Sequence, residues 1–169
     1  MTTVADVPIR SSVVSDCSQY RYLLAEEWGS GRRSITWVML NPPGDAQLED
    51  ETTTHVGEFS RCWGYDRMAI VNLFALRATC REELGTVEDP VGSKNRWFVH
   101  QAVTNAELVV VGWGDEIAYA PSRPNTLDDL VDLRRANVAM LCFGLTSAGN
   151  PLHPSRVPDS TIPVVWTAR

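Results

Sequence analysis

Four apolar runs of strand length, separated by segments with helical character, constrain the fold of this chain more than any other feature. The runs span residues 35–40, 68–74, 108–111 and 138–143. Each stops at a polar or glycine-containing turn, which is typical of buried strands that end in loops. Strands that alternate with helices predict an α/β fold, here a three-layer sandwich with a mainly parallel central sheet.

The segments between these runs contain helix signals. Three helices are predicted: one through Val56, Phe59 and Cys62, one capped by Ser93, and one opened by a capping box at residues 126–129. Residues 20–28 fit either a strand or a helix, and a hairpin into the 35–40 strand is the more economical prediction. Residues 163–166 predict a last short strand. Residues 1–18 are predicted as a loosely ordered arm of a single domain covering 1–169.

Composition narrows the class of protein. The net charge is −6 and the pI is about 5.0, which argues against a large basic nucleic-acid surface but leaves room for a local basic groove. The four cysteines are scattered without a C-x-x-C pair, so no metal and no cofactor are predicted. Reduced thiols, the absence of a signal peptide and the lack of a membrane-length apolar run predict a cytoplasmic protein that does not bind membranes.

Polar residues follow the predicted strands, and parallel strands end on one edge of a sheet, where ligands bind in open α/β folds. The groups expected there are Asn41 with Pro42 and Asp45, Asn72 with Arg77, Trp113 in a Gly-Trp-Gly turn, and His153 with Ser155 and Arg156. An amide or carboxylate can position a water, and a histidine can stabilise a developing oxyanion. An aromatic ring can stack on a planar ligand.

Each of these residues also has a structural interpretation. The Asn-Pro-Pro-Gly segment at residues 41–44 could be only a turn, and Asp45 could be only a cap. Asn72 could be a buried amide that bonds to loop backbone, and Trp113 could be a packing residue. The argument for a site is therefore the convergence of these groups, because each alone is weak.

The chain resembles the uncharacterised domain family DUF1643 over roughly residues 20–156. The segments that carry this resemblance are Tyr20-Arg21-Tyr22, Trp28, Met39-Leu40-Asn41-Pro42, Asp45-Ala46, Trp63-Gly64-Tyr65, Val71-Asn72-Leu73-Phe74-Ala75, Arg77-Ala78-Thr79, Asp89-Pro90-Val91-Gly92, Asn95 and His153-Pro154. The family usually has Asn-Pro-Ser-Thr before its Asp-Ala, and this chain has Pro43-Gly44 in place of Ser-Thr. The resemblance implies a family but no activity.

A more distant resemblance is to the uracil-DNA glycosylase superfamily. Leu40-Asn41-Pro42-Pro43-Gly44 resembles the motif whose Asp or Asn orients the attacking water, with a second proline inserted here. Val71-Asn72-Leu73 is similar to the strand whose Asn reads the uracil edge. His153-Pro154-Ser155 resembles the loop that carries the histidine, although Arg156 stands where a proline is typical. The resemblance implies a glycosylase-like fold and these site residues.

Three hypotheses about function follow. The first is a nucleobase- or nucleotide-recognising N-glycosidic-bond hydrolase, in which Asn41, with Asp45, holds the water and His153 stabilises the leaving base. Pro42, Asn72, Arg77, Trp113, Ser155 and Arg156 would bind the substrate. The second is a binding module for a nucleotide or a nucleic acid that has lost catalysis. The third is a small-metabolite enzyme with different chemistry on the same scaffold.

Overall fold

The computed structural model of the protein describes residues 7–44, 50–120 and 138–167. These residues form one seven-stranded sheet in the order β1-β2-β4-β3-β5-β6-β7. The strands are β1 Ile9–Val14, β2 Arg21–Glu27, β3 Ser34–Met39, β4 Arg67–Asn72, β5 Leu108–Val111, β6 Ala139–Cys142 and β7 Val164–Val165. The described α-helices are α1 Glu51–Cys62, α2 Glu83–Thr86 and α3 Asn95–Thr104, and 3-10 helices cover Asp115–Tyr119 and Pro154–Arg156.

The sheet is mixed, so the prediction of a mainly parallel sheet holds only for its centre. Strands β4, β3, β5 and β6 are parallel neighbours, whereas β1, β2 and β7 pair antiparallel at the two sides. Parallel neighbours need a long crossover connection, and α1 and α3 supply two such crossovers. The α/β class and the three layers are confirmed, because α1 and α3 pack on opposite faces of the sheet.

Each face of the sheet has its own core. On the α1 side, Val56 and Phe59 pack against Ile35, Trp37 and Ile70. On the α3 side, the buried residues include Val38, Val71, Val99, Val103, Val109 and Val111. Both faces of the central strands are therefore covered, which explains why their sequences read as continuous apolar runs rather than as alternating patterns.

Residues 9–14 form a strand, although they lie in the segment that the sequence predicts as a loose arm. Residues 9–14 form β1 and pair antiparallel with β2 from Ile9 opposite Glu27 to Val14 opposite Arg21. The sequence shows no apolar run here because β1 is an edge strand whose side chains are mostly exposed. The predicted hairpin between residues 20–28 and 35–40 is also wrong, because β4 inserts between β2 and β3.

The helix predictions have different outcomes. α1 begins after Asp50, whose Oδ1 accepts a 2.6 Å hydrogen bond from the Thr53 N–H, and it ends before Trp63, as predicted. α3 is present, but Lys94 precedes it and no side chain caps it, so Ser93 is not its cap. The capping box at residues 126–129 lies outside the described residues, as does Asp45.

Candidate functional site

The topology creates a crevice between the carboxyl ends of β3 and β5. The chain leaves β3 through α1 toward β4 on one side, and β5 lies on the other side of β3. Ligands of open α/β sheets bind at such a switch point. A polar cavity of about 150 Å³ lies at these strand ends, and it is lined by Leu40, Asn41, Arg81, Glu116, His153, Ser155 and Arg156.

Asn41 enters this cavity directly after β3, and hydrogen bonds fix the orientation of its amide. Its Nδ2 donates to the carbonyl oxygens of Pro42 at 2.9 Å and Ala78 at 3.5 Å. Two carbonyl acceptors require the NH₂ group on that side, so Oδ1 is the atom left to accept a hydrogen bond from a ligand or a water. These hydrogen bonds orient Asn41 so that its Oδ1 is available as an acceptor.

His153 is held as a neutral imidazole. Its Nδ1 lies 2.8 Å from the Ser155 hydroxyl and accepts from the Ser155 N–H at 3.3 Å. A nitrogen that accepts a backbone N–H carries no proton, so in the neutral ring the proton is on Nε2. Burial lowers the pKa of His153 below its ordinary value, an effect that the charge of Glu116 partly opposes. His153 is therefore a neutral hydrogen-bond donor through Nε2.

Two arginines and a carboxylate form the outer part of the cavity. Glu116 Oε1 lies 2.8 Å from Arg81 Nη1 and 2.9 Å from Arg156 Nη2. The side chain of Glu116 is 15% exposed, whereas both arginines are more than half exposed. The group carries one net positive charge, so this wall of the cavity favours an anionic ligand group.

The sequence predictions named Arg156 but not Arg81 or Glu116 for the site. Glu116 follows the predicted Gly-Trp-Gly turn by two residues, so its position at a strand end was the available signal. Asp115, its neighbour, instead accepts from Thr146 Oγ1 at 2.6 Å and Asn150 Nδ2 at 2.8 Å. These hydrogen bonds lower the pKa of Asp115, and the bond from Asn150 has the larger effect. They also connect Asp115 to the loop that follows β6.

The structure does not bring all the predicted site residues to the cavity wall. Asn41, His153, Ser155 and Arg156 line it, and Pro42 follows Asn41 as a buried residue. Arg77 instead donates to the carbonyl oxygens of Ser18 and Gly44. Trp113 is 6% exposed and contacts Trp166 edge to face, so its ring packs in the core. Asn72 is buried at the end of β4, without a place in the cavity wall.

A larger cavity of about 360 Å³ lies at the opposite end of the sheet. Its walls include the first residues of β3 and β4 and the last residues of α3. Many of its side chains are small, and the crevice of an α/β sheet binds ligands at the carboxyl ends of the strands, not at this end. We therefore place the candidate site in the smaller, polar cavity.

Two further observations limit the chemistry. In residues 7–44, 50–120 and 138–167, no three His, Cys, Asp or Glu side chains are grouped so that they could hold a metal ion. None of the helices in the same ranges combines the length and the hydrophobicity needed to cross a bilayer.

The fold and the site define a class of protein: a three-layer α/β domain with a small polar cavity at the switch point of a mixed sheet. Residues 21–155 match the family described as Protein of unknown function (DUF1643), and the chain belongs to this family. No curated protein matches the chain. No solved structure matches it either.

Proposed function

We propose that the protein recognises a nucleobase or nucleotide and hydrolyses its N-glycosidic bond. The observation that carries this proposal is that Asn41 and His153 line one cavity, with an acceptor on the first and an N–H donor on the second. The likeness of segments 40–44 and 153–155 to the uracil-DNA glycosylase superfamily supports the same chemistry, whereas Asn72 of the third similar segment does not line the cavity. A cavity of about 150 Å³ can hold one six-membered ring.

The reaction follows from these two side chains. Asn41 Oδ1 accepts a hydrogen bond from a water and orients its oxygen toward the anomeric carbon. The C–O bond forms as the C–N bond breaks, and the electron pair of that bond goes to the leaving base. The Nε2–H of His153 stabilises the negative charge on the base, which takes up the water's proton through solvent. Asp45, the other residue predicted to hold the water, lies outside the described residues.

A small substrate is favoured over duplex DNA. A protein that binds duplex DNA must neutralise phosphates along the helix, and this chain has a net charge of −6. The two arginines at the cavity form a local positive group rather than a stripe. A local positive charge of this kind suits a nucleotide-sized ligand better than a duplex.

We expect the purified protein to release free base from at least one member of a panel of nucleosides, nucleotides and uracil-containing DNA. Asn41→Ala and His153→Ala should each lower the rate by about 100- to 1,000-fold, as loss of a positioned transition-state contact does. The matched controls are Asn105→Ala and His100→Ala, which remove exposed side chains outside the cavity. No base release from any substrate would contradict the proposal.

One observation favours a second function, that of a binding module without catalysis. Glu116 is the one carboxylate in the described cavity wall, and two arginines contact it, so no unpaired carboxylate lines this wall to act as a general base. A nucleotide that raises the melting temperature without being consumed would identify this function. Loss of that thermal shift in Arg156→Ala would place the nucleotide in this cavity.

A further inference from the structure

Arg21 points to the α1 side of the sheet because β2 carries a bulge. The pairing between β1 and β2 changes from Val13 opposite Leu23 to Val14 opposite Arg21, so β2 has one extra residue there. Tyr20 and Tyr22 stack with each other at 6.2 Å, and Tyr22 stacks on Phe98 of α3. Arg21 lies between the two tyrosines in the sequence, so its side chain points to the opposite face of the sheet. Bulges commonly redirect a side chain next to a functional site.

Arg21 is buried, and its Nε has no hydrogen-bond partner among the described residues. The residue is 6% exposed, and no described residue accepts a hydrogen bond from its side chain or forms an ion pair with it. Burial lowers the pKa of Arg21, with the Asp50 carboxylate opposing this effect and Arg77 adding to it. An unpaired buried charge is strongly unfavourable, so proteins pair such a group or use it to bind a ligand.

The surroundings of Arg21 favour an anion. Asp50 acts electrostatically on Arg21, but its Oδ1 is already the cap of the 12-residue helix α1. Arg77 adds a second positive charge, and the acceptors of its N–H groups among the described residues are the neutral carbonyl oxygens of Ser18 and Gly44. The positive charges of Arg21 and Arg77 thus outnumber the negative charge of Asp50, which caps α1. The dipole of this helix also favours negative charge at its N-terminus.

Asn72 supplies a second unpartnered polar group on the same face. Met68 and Ile70 of β4 point into the core on the α1 side, and Asn72 follows them at the same two-residue period. It is 1% exposed, and neither its Oδ1 nor its Nδ2 has a partner among the described residues. It lies near Arg21 at the same end of the sheet, since the Arg21 N–H donates to the Ala75 carbonyl just beyond β4.

We propose that Arg21 and Asn72 form a binding site for an oxyanion, namely the phosphate or carboxylate group of the protein's ligand. The guanidinium supplies charge and a planar set of donors, and the Asn72 amide supplies one more N–H. This inference deepens the proposed function by giving the substrate an anionic group, so that a nucleotide is preferred over a nucleoside. The oxyanion site itself does not depend on the proposed function; only the identity of the remainder of the substrate does.

The test is the melting temperature of the full chain with increasing inorganic phosphate, and with sodium chloride at equal ionic strength. At a phosphate concentration a hundredfold above Kd, we expect a rise of roughly 5 to 10 °C for wild type. Arg21→Met should abolish this rise, and Arg67→Met, at the other end of the sheet, should keep it. A parallel titration with acetate shows whether the site prefers a phosphate or a carboxylate.

The proposal is overturned if phosphate does not shift wild type, or if Arg21→Met keeps the full shift. Without phosphate, Arg21→Met should melt at or above the wild-type temperature, because it removes a buried charge that has no partner. A variant that fails to fold would show that the guanidinium is structural and would count against the proposal. Arg21→Lys keeps the charge but not the planar donors, so it should bind phosphate at least about tenfold more weakly.

This outcome is distinguishable from that of the proposed function, because the readout is binding rather than base release. Phosphate binding without turnover would support the oxyanion site and leave the glycosidic chemistry contradicted. Equal rates of base release from nucleosides and nucleotides, with no shift of the melting temperature by phosphate, would support the glycosidic chemistry and contradict the oxyanion site.

Discussion

At the residue scale, the surroundings of His153 decide its charge. Its ring is partly buried beside two arginines and Glu116, and burial is the larger influence on its pKa. The Ser155 N–H occupies Nδ1, which leaves Nε2 as the donor toward the cavity. The protein thus holds a neutral imidazole, which donates a hydrogen bond without carrying a charge of its own.

This arrangement predicts how stability depends on pH. The folded pKa of His153 lies below its unfolded value of about 6.5, so the unfolded chain binds a proton first as the pH falls. The stability contribution of the neutral ring is therefore complete above about pH 6.5 and is lost below it. We expect His153→Gln to melt below wild type at about pH 7.5, with a smaller difference at about pH 5.5. A difference in melting temperature that is constant or grows in acid would contradict this.

The site residues that the sequence could predict are those whose role follows from local chemistry. Asn41 ends an apolar run and precedes a proline, and His153 stands in a short motif with Ser155, so both could be recognised. The strand-end position of Glu116 was the only local signal for it, because its salt bridge to Arg156 forms only when distant segments pack. Arg21 had no local signal, because its burial without a hydrogen-bond partner at Nε also depends on tertiary packing. Trp113 was misleading for the same reason, since its partner Trp166 is far away in the sequence.

At the element scale, the loop that carries His153 packs directly on β5. The Gly114 N–H donates to the Pro151 carbonyl at 2.9 Å. A Cβ on Gly112 would lie 2.8 Å from Pro154 Cδ and 2.9 Å from the Leu152 carbonyl oxygen. The absence of a side chain at residue 112 therefore permits the close approach of the loop, and the strand end positions the histidine.

We expect Gly112→Ala to displace this loop, because one of the atoms it meets belongs to the backbone and cannot rotate away. Overpacking of this kind costs about 1–3 kcal/mol of unfolding free energy, and the binding or turnover assigned to the cavity should fall with it. The control is Gly57→Ala in α1, where the nearest atom is Met68 Cε at 3.6 Å. The unfolding free energy of that variant should be about 0.5–1 kcal/mol higher than that of wild type, because alanine is more favourable than glycine inside a helix. Urea denaturation measures both, and equal effects would refute the interpretation.

At the scale of the whole molecule, the sheet extends beyond its parallel centre on both sides. β1 covers the outer edge of β2, and Arg10 Nε lies 2.7 Å from the Glu26 carboxylate, which is 2% exposed. The first strand therefore does more than lengthen the sheet. It shields backbone groups of β2 and brings a cation to a buried anion.

Deletion of residues 1–14 should destabilise the protein and promote association. The truncated chain would leave Glu26 with only the longer ion pair to Arg61, 3.8 Å away, so the cost should be below the roughly 3–5 kcal/mol of a buried charge that loses its only partner. The open edge of β2 would also be free to pair with another copy. Thermal melting and size-exclusion chromatography measure the two effects. A truncated protein that elutes in the same oligomeric state as the full chain, with an unchanged melting temperature, would show that β1 is dispensable.

The pattern of apolar runs and turns was sufficient to predict the α/β class, the four central strands and helix α1, because each of these is encoded within about a dozen consecutive residues. Strand order is not encoded in that way. β4 separates β2 from β3, and β1 pairs at the edge, through hydrogen bonds between backbone groups that are alike in every segment. Only tertiary packing selects among these pairings, and the same packing determines which polar side chains meet in a cavity and which are buried without a partner.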